Sequence, residues 1–349
     1  MKIVIAGMGS VGQRHARNLR LLLGDSVELL TARTRGRGEV ILPDLRIKEG
    51  ASIDEEYGLR NCASFAAALA ERPDAALICT PNHLHTALAL QAADAGCHLF
   101  IEKPVAHTLD GLDRLRDTVR DRRLTCFVAY QLRFHPGLEL LQRLLAENAV
   151  GRLIGGRMVF GEYLPDWHKY EDYRGYHAAR REEGGGVLLS QIHDIDFLYA
   201  LFGLPEKICC FGGQLTDLEI DVEDTASMLF EFAHEGRRFP FQLHQDYAQK
   251  PPVRVCEIIG TTGRICWDYF AAELRLIRHD GSVETNSFRD LQRNHMFLSE
   301  MRHFLDCIRS GAAPRVTLDD GINSLRIALA AHISLRESRV VKPAREEFA

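Results

Sequence analysis

Lys2-Ile3-Val4-Ile5-Ala6-Gly7-Met8-Gly9-Ser10-Val11-Gly12-Gln13-Arg14-His15 stands at the head of the chain. The apolar run from Ile3 to Ala6 predicts a short buried strand, the glycines a tight turn, and residues 11–23 a helix. Each glycine has its own task in such a strand–turn–helix unit. Gly7 permits the turn, Gly9 lets the backbone approach a pyrophosphate, and Gly12 lets the helix lie close against the strand. The first helical turn, with Ser10 and Val11 following Met8, presents backbone N–H groups to phosphate oxygens. In this context the G-x-G-x-x-G pattern is a dinucleotide-binding fingerprint.

Outward from the fingerprint, strand-like and helix-like segments alternate as far as residue 130. Strands are expected at 27–32, 75–79, 97–101 and 124–130, and helices at 64–71, 83–95 and 108–122. Thr80-Pro81-Asn82 breaks one strand and Glu102-Lys103-Pro104 ends the next. This alternation implies an α/β domain over residues 1–130, a Rossmann-type doubly wound parallel sheet. Ligands of such sheets bind beyond the carboxyl ends of the strands. The loops at Gly7, Arg33, Thr80 and Glu102 should therefore converge.

From residue 131 the pattern changes. A helix at 136–147 leads to a strand at 153–163, a polar aromatic loop, and a helix at 186–202. Strands follow at 224–232, 238–247, 253–259 and 264–269, separated by short turns such as His234-Glu235-Gly236. Short turns join antiparallel neighbours. Helices at 291–310 and 318–337 close the chain. Residues 131–349 are thus expected to form a C-terminal α+β domain with a largely antiparallel sheet, its last helix placed to pack back on the first domain. Helices cover one sheet face. The other calls for a second subunit, so a homodimer or homotetramer is expected.

The bulk properties narrow the class. A chain of 349 residues suits two domains, and 46% hydrophobic with 26% charged residues is a soluble globular composition. A net charge of −5 offers no basic surface for nucleic acid or an anionic membrane. No apolar run is long enough to span a bilayer, and the first residues read as a strand, not as a signal peptide. Nine scattered cysteines without a C-x-x-C suggest reduced thiols and a cytoplasmic protein. No His/Cys/Asp/Glu spacing suggests a metal, and His168, His177 and His193 stand in separate contexts.

The fingerprint, Thr80-Pro81-Asn82-His83-Leu84-His85, Glu102-Lys103-Pro104 and Gly184-Gly185-Gly186 followed by His193 occur in that order over nearly the whole chain. In that order they resemble the Gfo/Idh/MocA family, with Glu-Lys-Pro as the most specific mark. The resemblance implies a nicotinamide cofactor and oxidation or reduction at a carbon of a sugar, cyclitol or related polyol. It places Thr80, Pro81, Asn82 and His85 against the nicotinamide ribose and pyrophosphate, beside Glu102 and Lys103. It also places Gln131 and Arg133 near the nicotinamide or the substrate, and leaves His15 a structural role.

The chemistry of these residues stands without the likeness. Lys103, at the end of a parallel strand, offers an ammonium that stabilises a developing alkoxide. A histidine side chain suits a proton donor or acceptor near neutral pH, and His193 has Asp196 spaced to orient it. The family's catalytic His or Tyr stands at this place, usually with an Asp four residues earlier. Here that position is Leu189, and the nearest polar groups are Ser190 and Gln191. These can hydrogen-bond a hydroxyl but supply no carboxylate. A Lys103–His193 pair is the expected catalytic set.

Cofactor choice is read after the second strand, where NAD sites place an Asp or Glu. This chain has Arg33-Thr34-Arg35-Gly36-Arg37. Guanidinium groups bind phosphate bidentately, so NADP(H) is expected over NAD(H). On the substrate side, the loop at 163–176 carries Tyr163, Trp167, Tyr173 and Arg174. Aromatic faces stack on sugar C–H surfaces, and arginine binds hydroxyls or anions. A sugar or nucleotide-sugar substrate is expected, in surface-polysaccharide or secondary-metabolite biosynthesis. Two alternatives stay open: an inositol or polyol dehydrogenase of catabolism, and a non-catalytic cofactor sensor.

Overall fold

The computed structural model describes residues 1–33, 38–345 and 348. The chain groups into two compact units: Met1–Tyr130, His168–Asp172 and Asn294–Ile322 in the first, and Gln131–Trp167, Tyr173–Arg293 and Asn323–Ala349 in the second.

In the first unit, β1 (Lys2–Ala6) leads through α1 (Ser10–Leu23) to β2 (Glu28–Ala32). A hairpin of β3 (Glu39–Ile41) and β4 (Ile47–Ser52) follows, then α2 (Ile53–Tyr57), β5 (Leu59–Cys62) and α3 (Phe65–Ala70). The second half runs β6 (Ala75–Ile78), α4 (His85–Asp94), β7 (His98–Glu102), α5 (Leu112–Asp121) and β8 (Cys126–Ala129). Six strands form one parallel sheet in the order β5-β2-β1-β6-β7-β8, so the direction of winding reverses between β1 and β6. Helices cover both faces of such a sheet, and this explains why its strands read as unbroken apolar runs. Ile3, Val4, Ile5, Leu77, Ile78, Phe100 and Ile101 are all fully buried.

The β3–β4 hairpin, α2 and β5 are elements that the sequence pattern does not reveal. β4 reads Ile-Lys-Glu-Gly-Ala-Ser and is mostly exposed, so it lacks the apolar alternation that signals a strand. A long-range contact holds the hairpin instead. Gln13 of α1 accepts the Ile41 N–H at 2.7 Å and donates to Met8 O at 3.1 Å and Glu39 O at 2.9 Å.

The helix of this unit drawn from far along the chain is α9 (Arg293–Ser310), the penultimate helix and not the last. Phe304 meets Phe100 at 5.4 Å and Phe127 at 6.3 Å. The last helix, α10 (Leu318–Glu337), contributes only its first residues here, and Asn323 onward belongs to the second unit.

The second unit contains α6 (Pro136–Ala146), β9 (Leu153–Gly161), α7 (Val187–Ser190), α8 (Ile192–Phe202) and the strands β10 (Lys207–Gly213) to β16 (Val283–Ser287). Between these lie β11 (Thr225–His234), β12 (Arg237–Asp246), β13 (Val253–Gly260), β14 (Gly263–Asp268) and β15 (Glu273–Arg278). The eight-stranded sheet has the order β10-β11-β12-β9-β13-β14-β15-β16 and is antiparallel except where β12 meets β9. Alternation sorts its faces. Met228, Phe230, Phe241, Leu243, Met158, Ile258 and Trp267 are buried on one side. The other carries Phe211, Leu229, His244, Arg157 and Glu257, with Phe211 69% and Leu229 53% exposed.

The fold is therefore a Rossmann domain with a largely antiparallel α+β partner. No helix among the described residues is long and apolar enough to cross a membrane. Nor, among those residues, does any group of three or more His, Cys, Asp or Glu have the geometry to hold a metal ion.

Candidate active site

The fingerprint has the shape its sequence requires. Gly7 sits at φ +92°, and a Cβ there would lie 2.4 Å from the Cys79 carbonyl oxygen. A Cβ on Gly12 would lie 2.0 Å from the Gly7 oxygen, so the turn closes only with glycine at both places. A Cβ at Gly9 would meet nothing within 4 Å. Gly9 is also the N-cap of α1 and brings no side-chain acceptor to the first-turn N–H groups. Space beside Gly9 and uncapped donors together fit a pyrophosphate. Thr80 Oγ1, after β6, is buried with no hydrogen-bond partner among the described residues, a group that a bound ribose or phosphate would satisfy.

One side chain clasps the two loops that follow β6 and β7. His85 is fully buried, with Nε2 2.7 Å from Thr80 O and Nδ1 2.8 Å from Pro104 O. Both contacts are hydrogen bonds only when the ring carries two protons. Burial opposes that charge and lowers the pKa, while the two carbonyls act in the opposite direction. His85 thus serves a cofactor through the loops it joins, its ring nitrogens being turned to the protein backbone. Pro81 leads into a short turn at Asn82–Leu84, in which Asn82 is 3% exposed.

Lys103 follows β7 directly and is partly exposed. The Glu102 carboxyl beside it is held from two sides. Its Oε1 lies 2.7 Å from His15 Nε2, and its Oε2 accepts the Lys103 N–H at 3.2 Å. At the adenosine side, Arg33 donates from Nη2 to Asp54 Oδ2 at 2.7 Å. Thr34, Arg35 and Arg37 lie outside the described residues.

His168 is a group that the sequence reading did not assign to the cofactor. It belongs to the short segment His168–Asp172 that groups with the first unit. Its Nε2 lies 3.4 Å from Ser10 Oγ at the start of α1, and its Nδ1 lies 3.0 Å from Glu171 Oε1. No local motif announces this contact, which arises from a sequence separation of 158 residues.

The second unit holds the other flagged residues. The helix expected at 186–202 is broken at Gln191 (φ −96°, ψ 24°) into α7 and α8. The break is pinned to the end of β12. Gln191 Nε2 donates to Asp246 O at 2.8 Å, and Gln245 Nε2 donates to Gln191 O at 2.7 Å. Leu189 and His193 are thus not on one straight helix, which weakens a comparison by four-residue spacing. His193 stands in the first turn of α8 and is 8% exposed.

Two buried ion pairs fix α8. Arg254 binds Asp194 at 3.0 Å and lies 3.7 Å over the Phe160 ring. Arg133 donates from Nε at 2.8 Å and Nη2 at 2.7 Å to the Asp196 carboxylate, which also accepts from Ser324 Oγ at 2.9 Å. Asp196, expected to orient His193, instead anchors the helix to Arg133. Arg133, expected near the substrate, has its guanidinium fork on that carboxylate. Gln131 is buried in the turn just before it.

The aromatic loop is likewise knitted together. Trp167 lies 5.3 Å from Tyr247 edge-on, and its Nε1 is buried with no hydrogen-bond partner among the described residues. Lys250 is 5.6 Å over the Tyr163 ring and 2.6 Å from Asp166 Oδ2. Arg174 pairs with Glu219, whose N–H is donated to Tyr173 Oη at 3.3 Å. Ser190 is 5% exposed, and burial pushes the nearby Tyr247 phenol, which donates to Ala178 O at 3.4 Å, well above its ordinary pKa.

Comparisons with known proteins agree with this architecture. Residues 1–130 match the model of an oxidoreductase family with an NAD-binding Rossmann fold, and residues 138–266 match the GFO/IDH/MocA C-terminal domain. A myo-inositol 2-dehydrogenase of Thermotoga maritima is 27% identical, with 98% of each chain aligned. A levoglucosan dehydrogenase of Pseudarthrobacter phenanthrenivorans is 35% identical over 63% of this chain and 62% of its own. Among solved structures, a levoglucosan dehydrogenase in complex with NADH and L-sorbose superposes with a TM-score of 0.82 at 19% identity, covering 98% of both chains.

Proposed function

Because the chain belongs to the Gfo/Idh/MocA family of oxidoreductases, we propose that it oxidises or reduces a CH–OH carbon of a sugar or polyol with a nicotinamide cofactor, Lys103 and His193 handling the hydroxyl proton. The observation that carries this reading is the open cradle at Gly9 together with the β6 loop, packed on Gly7 and tied by the His85 clasp to the turn bearing Lys103. When bound, the nicotinamide supplies the hydride donor or acceptor. The α1 N–H groups, Ser10 and Thr80 would hold the cofactor's pyrophosphate and ribose. The Lys103 ammonium lowers the energy of a developing alkoxide, and His193 gives or takes the proton. Leu189 stands where a carboxylate-bearing site would have its Asp, and Ser190 and Gln191 are the nearest polar groups.

Named relatives act on inositol and on levoglucosan, which supports a free sugar or cyclitol more directly than a nucleotide sugar. The arginine-rich run after β2 supports NADP(H) over NAD(H). Arg33 is already paired with Asp54, so Arg35 and Arg37 are the arginines left to meet a 2′-phosphate. A cytoplasmic location fits the scattered, unpaired cysteines.

A second copy of the chain is the proposed cover for the open sheet face. That face presents exposed Phe211 and Leu229 with both charge signs, Arg157 and Glu257, a self-complementary pattern suited to a two-fold axis. The reading is tested by titrating purified protein with NADPH and NADH and screening cyclitols, free sugars and nucleotide sugars for cofactor-dependent turnover. Cofactor binding without turnover of any of them would favour the sensor alternative, and tighter NADH binding would reject the NADP(H) preference.

A further inference from the structure

The five residues His168–Asp172 group with the first unit, although Trp167 before them and Tyr173 after them group with the second. The first side chain of this segment reaches the start of α1. His168 Nε2 lies 3.4 Å from Ser10 Oγ, and Ser10 is the first residue of the helix. At that distance the pair is looser than an ordinary hydrogen bond, so a third polar group can compete for either atom.

The other ring nitrogen has a firmer partner. His168 Nδ1 lies 3.0 Å from Glu171 Oε1, and the two side chains are 17% and 16% exposed. An ionised carboxylate only accepts, so Nδ1 carries a proton. The Tyr170 ring stacks on the imidazole at 5.2 Å and 23°. The segment thus holds its own histidine by one nitrogen and one face, and Nε2 is the nitrogen presented to α1.

What Nε2 meets there suits an anion. Gly9, the N-cap of α1, brings no side-chain acceptor to the first-turn N–H groups, and no acidic residue stands in that turn. The positive end of the helix dipole is therefore left without the carboxylate that commonly offsets it. A Cβ on Gly9 would meet nothing within 4 Å, so there is room beside it. The β6 loop adds a hydroxyl: Thr80 Oγ1 is buried with no hydrogen-bond partner among the described residues, and the Thr80 nitrogen lies 2.8 Å from where a Gly7 Cβ would stand.

We propose that His168 is a cofactor-binding residue: its doubly protonated ring donates from Nδ1 to Glu171 and from Nε2 to a phosphoryl oxygen of the pyrophosphate seated at Gly9, beside Ser10 Oγ. The assignment rests on the dehydrogenase reading and adds to it a cationic side chain that the glycine fingerprint lacks. Backbone N–H groups offer the pyrophosphate partial charges only, whereas an imidazolium offers a full one in a charge-assisted hydrogen bond. Glu171 is a positioning residue, fixing the ring so that Nε2 points to the phosphate.

The test titrates the full chain at about pH 6, below the ordinary imidazole value of about 6.5. NADH and NADPH are followed by fluorescence and ADP-ribose by calorimetry, since ADP-ribose carries the pyrophosphate and lacks the nicotinamide. His168→Gln keeps an N–H donor without charge, and His168→Leu keeps bulk without a donor. Both, still melting cooperatively, should bind all three ligands about ten- to a hundredfold more weakly. Added salt should weaken ADP-ribose binding more steeply in the wild type than in His168→Gln, because the variant has one charge–phosphate contact fewer to screen.

Folded variants that bind ADP-ribose as tightly as the wild type would overturn the proposal. So would a loss confined to NADH and NADPH, which places His168 at the nicotinamide, or a weakened His168→Gln with the salt dependence of the wild type, which marks an indirect effect. A wild type that binds none of the three ligands ends the dehydrogenase reading and the role of His168 with it. A wild type that binds them beside variants that bind equally well ends the role of His168 alone.

Discussion

In the proposed reaction, Lys103 is the residue on which the chemistry turns. Its replacement by Met removes the ammonium and keeps most of the aliphatic stem. Turnover should fall by about 10²–10⁴-fold, the usual range for a lost proton-handling group, while the dissociation constant of the reduced cofactor stays near that of the wild type. Steady-state kinetics beside a binding titration separate the two, and a joint loss would point to misfolding. Lys103 and His193 are singled out in the sequence because their residue types stand in an ordered series of motifs. His168 is not, because nothing near it in sequence refers to Ser10, and only folding brings them together. Arg133 was flagged by position, but its Asp196 partner lies 63 residues away and no local pattern joins them.

At the scale of elements, α8 is held by charges and not by an apolar stripe alone. Asp196 is 1% exposed and takes both hydrogen bonds of the Arg133 fork. Asp196→Ala leaves that guanidinium buried without its carboxylate, and should destabilise the protein by about 3–5 kcal/mol in a denaturant melt. A loss within experimental error of zero would show that the pair does not anchor the helix. Long apolar or amphipathic elements were readable: the sequence places helices at 136–147 and 318–337, and the structure has α6 at Pro136–Ala146 and α10 at Leu318–Glu337. The polar β4 and the break at Gln191 were not, since one has no hydrophobic period and the other is set by hydrogen bonds from β12. The same limit hid the parallel pairing of β9 with β12, which turn lengths cannot reveal.

For the whole molecule, the alternation of buried and open residues across the eight-stranded sheet leaves one face with exposed apolar side chains. Exposed apolar surface framed by charges is a common mark of a subunit contact. The double substitution of Phe211→Glu and Leu229→Glu should therefore reduce the mass measured by light scattering to that of a monomer, with a circular dichroism spectrum like the wild type. A wild type that is already monomeric would refute the dimer or tetramer.

The proposed reaction requires that the turn after β7 and the first turn of α8 address one cofactor. A crystal structure of the protein grown with reduced nicotinamide cofactor measures this directly. In that crystal the ring should be contacted on its reacting side by Lys103 Nζ and the His193 imidazole, each within hydrogen-bond reach of one ligand hydroxyl or of the water in its place. Side chains directed to separate surfaces, or a cofactor seated away from Gly9, would contradict it.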